Sequence, residues 1–250
     1  MIIDRLQSKN VLVTGGSSET GPFICRAFAD AGANLATTWF SNESGGRDVA
    51  DYVHRKGGQS LLYHLDLLKQ DSIDELIDNL RQAWQRLDVL VLCCGSKGLR
   101  PFRQLSREQL DTAIDGNLKG NFMLAKTLGY WMKQSPSLGK IIQLSAMSAE
   151  NASHSAYGIG KAAQNAMAEF LAYNLAPEVT VNTIAPITID QDPSHAAPPA
   201  DKAPLGRQVH ARELASMCLT LCDPVFDTVT GELIRMDSGR HVVNAFPRDL

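Results

Sequence analysis

The sequence predicts a doubly wound α/β domain: a mostly parallel sheet of seven strands with helices on both faces. Short aliphatic or β-branched runs alternate with longer helical stretches, a rhythm typical of parallel sheets. The first run stops at Gly15-Gly16 and leads into a helix. No linker, internal repeat or change of composition interrupts the 250 residues. We therefore predict that residues 1–250 form one domain.

In the first half of the chain, strands and helices are separated by glycines and by changes of periodicity. Strands are predicted at 10–14, 34–39, 60–65 and 89–92, where the side chains are apolar or β-branched. The first helix runs through Phe23 and Phe28 and closes at Gly32, and the second covers 47–56 before Gly57-Gly58. The third helix, 71–86, carries Ile73, Leu76, Ile77, Leu80 and Trp84 at the spacing of one helical face.

The second half continues this alternation and contains one irregular stretch. Helices are predicted at 107–134, 157–174 and 212–221, and strands at 140–144, 179–184 and 232–236. The segment from Thr188 to Pro204 is rich in Pro, Ala and Asp. Loops longer than about 12–15 residues are commonly lids or binding loops. This one follows the carboxyl end of a strand, where open α/β sheets bind ligands, so we predict that 188–204 covers a substrate.

Composition excludes several classes of partner. The net charge is −3 with a pI of about 6.1, and no Lys/Arg cluster occurs, so neither nucleic acid nor an anionic membrane is expected to bind. No apolar stretch has the length of a membrane span, and the start lacks signal-peptide features. The five cysteines are scattered and form no zinc motif, which predicts reduced thiols, no metal site and a cytoplasmic protein.

Three local patterns point to chemistry. The turn from Thr14 through Gly15 to Gly21 joins a strand to a helix, and helix-terminal N–H groups there would face a bound pyrophosphate. Asp66 comes just after the third strand, where a carboxylate can accept from an adenine amino group. Tyr157 and Lys161 lie one helical turn apart, so the ammonium is expected to lower the pKa of the phenol.

With these motifs, the chain resembles the short-chain dehydrogenase/reductase family, in the branch that has a Tyr-x-x-x-Lys pair. It is most similar to the 3-oxoacyl-carrier-protein reductases and similar carbonyl reductases, which have a Rossmann-type fold. The resemblance covers nearly the whole chain. Its motifs are TGGSSETG (14–21), Asp66, DVLV (88–91), NLKGNF (117–122), KIIQLS (140–145), YGIGK (157–161), VNTIAP (181–186), PLGR (204–207) and VTGELIRMDSG (229–239).

The resemblance implies a role for each site residue. Tyr157 would donate a proton to a carbonyl while a nicotinamide delivers hydride, and Lys161 would bind the nicotinamide ribose and lower the tyrosine pKa. Asn117 would hold a water molecule of a proton relay through a local helix distortion. The residues that would bind the cofactor are Thr14, Gly15, Ser17, Glu19, Thr20, Gly21, Asp66, Leu67, Gly95, Tyr157, Lys161, Pro186 and Ile189.

Four positions depart from the family pattern. Glu19 replaces the second glycine of the turn, and a carboxylate there places a like charge near the pyrophosphate, at a cost of about 1–4 kcal/mol. The family's Asn-Asn-Ala-Gly is replaced by residues 92–95, Leu-Cys-Cys-Gly, which lack the asparagine that ties strands together. Ala146 takes the place of the catalytic serine, and Ile187 that of a glycine near the nicotinamide. Ser145 would replace the lost hydroxyl only if its strand ends in a bulge.

Cofactor choice follows from the end of the second strand. Residues 39–42, Trp-Phe-Ser-Asn, contain no acid for the ribose hydroxyls of NAD. Phe40 stands where NADP-binding relatives offer an arginine, and Arg47 is the nearest downstream base. With no acid present, the sequence favours NADP(H) over NAD(H).

Three functions remain open at this point. The first is an NAD(P)-dependent reductase of a small or acyl-like carbonyl compound. The second is a non-catalytic partner subunit or binding protein, and the third an acid–base enzyme that dehydrates or isomerises its substrate. By analogy with the family, the helices at 107–134 and 157–174 would pair subunits into a homodimer or homotetramer, with a hetero-partner as the alternative.

Overall fold

The main sheet contains seven strands, in the order β3-β2-β1-β4-β5-β6-β9, and every neighbouring pair is parallel. The computed structural model describes residues 6–96, 102–149, 155–191 and 203–242. The strands of this sheet are β1 Asn10–Thr14, β2 Asn34–Trp39, β3 Ser60–His64, β4 Val89–Leu92, β5 Gly139–Leu144, β6 Val179–Pro186 and β9 Leu233–Met236. The predicted fold class is confirmed, and the sheet is parallel throughout.

Helices cover both faces of this sheet and bury two separate apolar layers. They are α1 Gly21–Asp30, α2 Glu43–Arg55, α3 Gln70–Ala83, α4 Arg107–Ile114, α5 Gly120–Met132, α6 Ala156–Leu175 and α7 Ala211–Thr220. Side chains of α3, α5 and α6 pack on one face, and side chains of α1, α2 and α7 on the other. In β1, Leu12 belongs to the first layer while Val11 and Val13 belong to the second, as strand alternation requires.

The predicted helix over 107–134 is interrupted, and this prediction is wrong in its centre. The chain forms a π-helical turn at Asp115–Lys119 between α4 and α5. π-Helical turns are rare in proteins, and those that do occur are often found at functional sites. Here the turn places Asn117 in the interior.

Among the other helices, the start of α2 and the end of α3 differ from their predictions by three or four residues, for local reasons. Helix α2 begins at Glu43 instead of Arg47 because Asn42 caps it: its side-chain oxygen accepts from the Gly45 N–H at 3.0 Å. Helix α3 ends at Ala83 because Trp84 is extended and its indole N–H donates to the Gln59 side chain at 2.9 Å.

The stretch after β6 is partly regular. Strand β7, Ile189–Asp190, pairs in parallel with β8, Val209–His210, so the predicted loop 188–204 begins with a short strand. Residues 192–202 lie outside the described part of the chain, and the covering role of this segment remains a prediction.

Candidate active site

A cleft of about 550 Å³ lies at the carboxyl ends of the central strands. Its walls come from the glycine turn after β1, from the ends of β4, β5 and β6, and from the start of α6. Many of the predicted site residues line it together: Gly15, Ser17, Glu19, Thr20, Gly95, Ser145, Tyr157, Lys161, Pro186 and Ile189. The structure thus brings the glycine turn and the Tyr157–Lys161 pair into one continuous space.

The glycine turn is shaped by close approach of its own backbone. Gly15 has a φ of +68°, and a Cβ on Gly21 would overlap the Gly15 carbonyl oxygen, so both positions require glycine. The Gly15 N–H donates to the Thr38 hydroxyl at 2.9 Å. Sequence reasoning missed Thr38, because its contact with the turn depends on the register of β1 against β2.

A side chain links β1 to β4, although the family's asparagine is absent. The Thr14 hydroxyl donates to the Val91 carbonyl at 3.4 Å and accepts from the Cys93 N–H at 3.1 Å. The Cys93 thiol also lies 3.5 Å from the Thr20 hydroxyl. The asparagine is absent, and Thr14 supplies a side-chain link between β1 and β4.

Tyr157 and Lys161 stand at the start of α6. The Ser155 hydroxyl caps this helix by accepting from the Gly158 N–H at 3.2 Å. The Lys161 ammonium lies 5.6 Å from the centre of the Tyr157 ring and donates to the Leu144 carbonyl at 2.8 Å. The predicted juxtaposition of phenol and ammonium is therefore present.

Burial controls the ionisation of this pair. It raises the pKa of Tyr157 to about 12, with smaller contributions from Cys93 and Glu19, whose negative charges disfavour another one nearby. Burial also lowers the pKa of Lys161 to about 8. The expected lowering of the Tyr157 pKa by Lys161 is wrong here, because desolvation of the phenolate outweighs any attraction to the ammonium.

Ser145 does not meet the condition set for it by the sequence. Its N–H donates to the Ile184 carbonyl at 2.9 Å, which continues the ladder of β5 with β6, so the strand does not bulge there. Its hydroxyl instead donates to the Lys161 carbonyl at 3.4 Å. Ala146, at the position of the family's serine, also lines the cleft.

Asn117 faces the same region from the π turn. Its amide donates to the carbonyls of Ala113 and Ser96 at 2.8 and 2.9 Å. Its side-chain oxygen has no hydrogen-bond partner within the part of the chain that the structure describes. A Cβ on Gly95 would overlap that oxygen and lie 3.6 Å from the Lys161 ammonium, so both groups converge beside Gly95. The helix distortion expected at Asn117 is present.

A second cavity, of about 240 Å³, adjoins the first. It contains Asp66 and Leu67, and it shares Phe40, Cys94 and Gly95 with the larger cleft. One oxygen of Asp66 accepts from the Leu68 N–H at 3.0 Å, and the other lies 3.4 Å from the Lys69 ammonium. Sequence reasoning considered Phe40 only as the place of a missing arginine, and missed that it lines both cavities.

The residue after Pro186 forms a further part of the cleft wall. Ile187 is held by its N–H, which donates to the Met236 carbonyl at 2.9 Å, and it lines the cleft beside Pro186. All five cysteines are free thiols. Among the described residues, no group of three or more metal-binding side chains occurs, and no helix is long and apolar enough to cross a membrane.

Comparison with known proteins agrees with this geometry. A family profile described as enoyl-(acyl carrier protein) reductase matches residues 19–241. The NAD-dependent glycerol dehydrogenase of Listeria innocua is 26% identical in an alignment of 245 residues that covers 94% of this chain and 94% of its own. The 3-oxoacyl-[acyl-carrier-protein] reductase of Aquifex aeolicus is 27% identical over 94% of this chain and 98% of its own.

The fold of the chain is also similar to that of a dehydrogenase of known structure. The crystal structure of acetoin dehydrogenase from Enterobacter cloacae superimposes with a TM-score of 0.88 at 25% identity, covering 97% of this chain and all of the other. The chain therefore belongs to the short-chain dehydrogenase/reductase family, whose members are oxidoreductases of alcohols and carbonyl compounds.

Proposed function

We propose that this protein is an NAD(P)(H)-dependent reductase that converts the carbonyl group of a small or acyl-like substrate into an alcohol, in the cytoplasm. The observation that carries the proposal is the placement of Tyr157 and Lys161 at one end of a cleft whose other end is the glycine turn. A proton donor and a dinucleotide cradle in one space are what carbonyl reduction needs.

The residues present fit a nicotinamide dinucleotide, with one exception. Gly15 and Gly21 allow the tight turn whose N–H groups would face a pyrophosphate, and the smaller cavity, with Asp66 and Leu67, has the size and position for an adenine. Lys161 would bind the nicotinamide ribose, and Pro186 and Ile189 would flank the ring. Glu19 is the exception, because its exposed carboxylate would lie near the phosphates. When bound, the dinucleotide would supply the hydride.

Tyr157 supplies the proton in this proposal. With a pKa near 12 its hydroxyl remains protonated at neutral pH, so it can donate to a carbonyl oxygen that gains negative charge. The Lys161 ammonium, 5.6 Å from the ring, favours the phenolate left behind. The Asn117 oxygen and the ammonium converge beside Gly95, a place suited to a water molecule that returns the proton.

Cofactor choice is proposed from the end of β2. Residues 40–42, which follow Trp39, contain no acid to bind the ribose hydroxyls of NAD, and we propose a preference for NADP(H) over NAD(H). The assembly is proposed as a homodimer or homotetramer.

Glu19 favours a second candidate. Its carboxylate lines the same cleft as Tyr157 and contributes to the raised pKa of that residue. If Glu19 keeps dinucleotides out, then Tyr157, Lys161 and Glu19 form an acid–base site suited to dehydration or isomerisation, or the cleft serves a partner subunit.

Cofactor titration separates these candidates. NADPH and NADH are added to the wild type, to Glu19→Gln and to the control Glu75→Gln, an exposed residue of α3. Nicotinamide fluorescence and melting temperature are followed together. We expect micromolar binding to the wild type, about tenfold tighter in Glu19→Gln because a like charge is removed, and no change in Glu75→Gln.

The other outcomes are equally decisive. Binding by Glu19→Gln alone would favour the second candidate. No binding of either cofactor to any variant at millimolar concentration would contradict the reductase.

A further inference from the structure

A further cavity lies at the edge of the sheet opposite the cleft of Tyr157. Its volume is about 440 Å³, which is within the range of pockets that hold small molecules. Lys9, Asp88 and Lys140 line it at the amino ends of β1, β4 and β5. Among the described residues, this cavity and the cleft share no lining residue. We call it the amino-end cavity.

The Asp88 carboxylate in the wall of this cavity is fully engaged. One of its oxygens accepts from the Lys9 ammonium and from the Ser137 hydroxyl, both at 3.1 Å. The other accepts from the Asn10 N–H at 2.9 Å and from the Arg86 guanidinium at 3.2 Å. Burial opposes ionisation of this carboxyl group, but the bonds from Asn10 and Lys9 hold its pKa below the ordinary 3.8. A carboxylate offers about four lone-pair sites, so Asp88 fixes Lys9 and has no acceptor left for a ligand.

The ammonium groups of Lys140 and Lys9 still have donors to offer. The Lys140 side chain is 8% exposed, and its ammonium donates to the Asp227 carboxylate at 2.6 Å. Within the part of the chain that the structure describes, each of these two ammonium groups makes one hydrogen bond. An ammonium carries three N–H donors. Donors of a charged group that are shielded from water and unused cost free energy, so a further acceptor in the cavity would stabilise them.

The charges around the amino-end cavity do not balance. Its ion pairs contain three cations, Lys9, Arg86 and Lys140, and two carboxylates, Asp88 and Asp227. One positive charge is therefore in excess. Because a partly buried charge interacts more strongly than one in water, this excess favours a ligand group with a single negative charge and disfavours a cation.

The remaining walls of the cavity are apolar. The apolar residues that line it are Leu6, Val89, Leu138 and Pro224. Burial raises the pKa of the Cys222 thiol, which also lines the cavity, to about 12, so this group is neutral. The thiol donates to the Cys218 carbonyl at 3.4 Å and is thus already engaged. A small inorganic anion would leave these walls in contact with water, whereas a hydrocarbon tail would cover them.

We infer that the amino-end cavity is a binding site for a monocarboxylate with a short hydrocarbon tail. The carboxylate accepts charge-assisted hydrogen bonds from Lys9 and Lys140, and the tail packs against the apolar walls. Each methylene group that leaves water adds to the affinity. The site lies apart from the cleft, so it does not depend on the reductase proposed above.

Calorimetric titration with matched probes tests this inference. Octanoate should bind to the wild type with a Kd below about 1 mM. Octan-1-ol has the same tail without the charge, and acetate has the charge without the tail. Both should bind at least about tenfold more weakly than octanoate. Octylammonium should show no binding, because cations are already in excess around the cavity.

Three variants place octanoate in the amino-end cavity. Lys140→Met removes one ammonium and should weaken octanoate binding at least about tenfold. Leu138→Trp fills the cavity, leaves both lysines in place and should abolish binding. Lys133→Met is the matched control, because Lys133 also pairs with a carboxylate, that of Glu178 at 2.9 Å, but does not line the cavity. Melting temperatures verify folding, and Lys9→Met replaces Lys140→Met if the latter does not fold.

The other outcomes would overturn the inference. If octanoate binds the Lys140→Met and Leu138→Trp variants as tightly as the wild type, it is held elsewhere on the protein. If octan-1-ol or octylammonium binds as tightly as octanoate, the ammonium groups do not select the ligand. A wild type that does not bind octanoate also contradicts the site. None of these results bears on the reductase, which is tested by titration with NADPH and NADH.

Discussion

Lys161 is buried and Tyr157 is half-buried, and desolvation shifts the pKa of each in the direction that favours its neutral form. The pKa of Lys161 falls to about 8 and that of Tyr157 rises to about 12. At pH 7 the lysine is still an ammonium and the tyrosine still a phenol. Tyr157 is therefore prepared to give up a proton only when negative charge develops on a bound carbonyl oxygen.

Removal of the Tyr157 hydroxyl tests its role as the proton donor. We expect Tyr157→Phe to lower kcat by about 10²–10⁴, since general acid catalysis typically contributes that much. Cofactor affinity should stay within about twofold, because the ring and Lys161 remain. Tyr173→Phe, on the exposed side of the same helix, is the matched control and should leave kcat unchanged. A Tyr157→Phe enzyme with full turnover would contradict the proposed role.

At this scale the sequence predicts where residues lie better than what surrounds them. The glycine turn and the Tyr157–Lys161 pair are local in sequence, so their geometry follows from the strand and helix that carry them. The direction of the Tyr157 pKa shift could not be predicted, because burial depends on the whole fold. The contact of Ser145 with the Lys161 carbonyl depends on how β5 packs against α6.

Among the elements, the cap of α7 fixes how the chain enters that helix after β8. Both terminal nitrogens of the Arg207 guanidinium, Nη1 and Nη2, donate to the Glu213 carboxylate at 2.7 Å. The His210 N–H donates to the same carboxylate at 2.9 Å. These bonds, led by the one to Arg207, lower the pKa of Glu213 from 4.5 to about 2. The Glu213 carboxylate thus links the Arg207 side chain and the His210 backbone to the first turn of α7.

Glu213→Gln should destabilise the protein by about 1 kcal/mol at pH 7, through the lost cap and ion pair. A carboxyl group with a lowered pKa contributes stability above its unfolded value of 4.5, and this contribution is lost as pH falls toward 2. Urea unfolding of both proteins from pH 7 to pH 3.5 should therefore show a difference in the free energy of unfolding that narrows below about pH 4.5. A difference that does not change with pH would contradict the role of the Glu213 carboxylate.

Elements with a clear period were predicted to within a few residues, and the failures have identifiable causes. The apolar pattern of 107–134 does not show the π turn, because one additional residue in a turn changes the period only locally. The strands Ile189–Asp190 and Val209–His210 are too short for any pattern, and their pairing joins distant segments. The second helix was predicted to begin at residue 47, yet the Asn42 cap and the close approach of Gly46 to Leu62 favour a start at Glu43.

On the scale of the whole molecule, the outer surface of α5 and α6 carries exposed aromatic side chains. Tyr130, Phe170 and Tyr173 are 54%, 57% and 85% exposed, and the Phe122 ring lies 6.2 Å from that of Phe170. Exposed apolar groups concentrated on one face are typical of interaction sites. The family resemblance assigns these two helices to subunit pairing.

Charge placed on that face should separate the subunits. We expect wild-type protein to sediment as a dimer or tetramer, and Phe170→Asp to shift toward a smaller species, because an unpaired carboxylate would be buried in the interface. Val225→Asp, at an exposed apolar position elsewhere, should leave the assembly unchanged. Sedimentation velocity over a range of concentrations measures the shift, and a monomeric wild type would contradict the prediction.

The π turn at Asp115–Lys119 makes the length of the chain part of the site. A π turn holds one residue more than an α turn, so it is in effect an insertion into a helix. Loss of that residue from a descendant sequence would leave a regular helix whose downstream faces are unchanged, and the side chains of the turn itself, Asn117 among them, would no longer face the site. A gap in this stretch of an alignment would therefore mark a lineage whose site has been dismantled, even where every named side chain is retained.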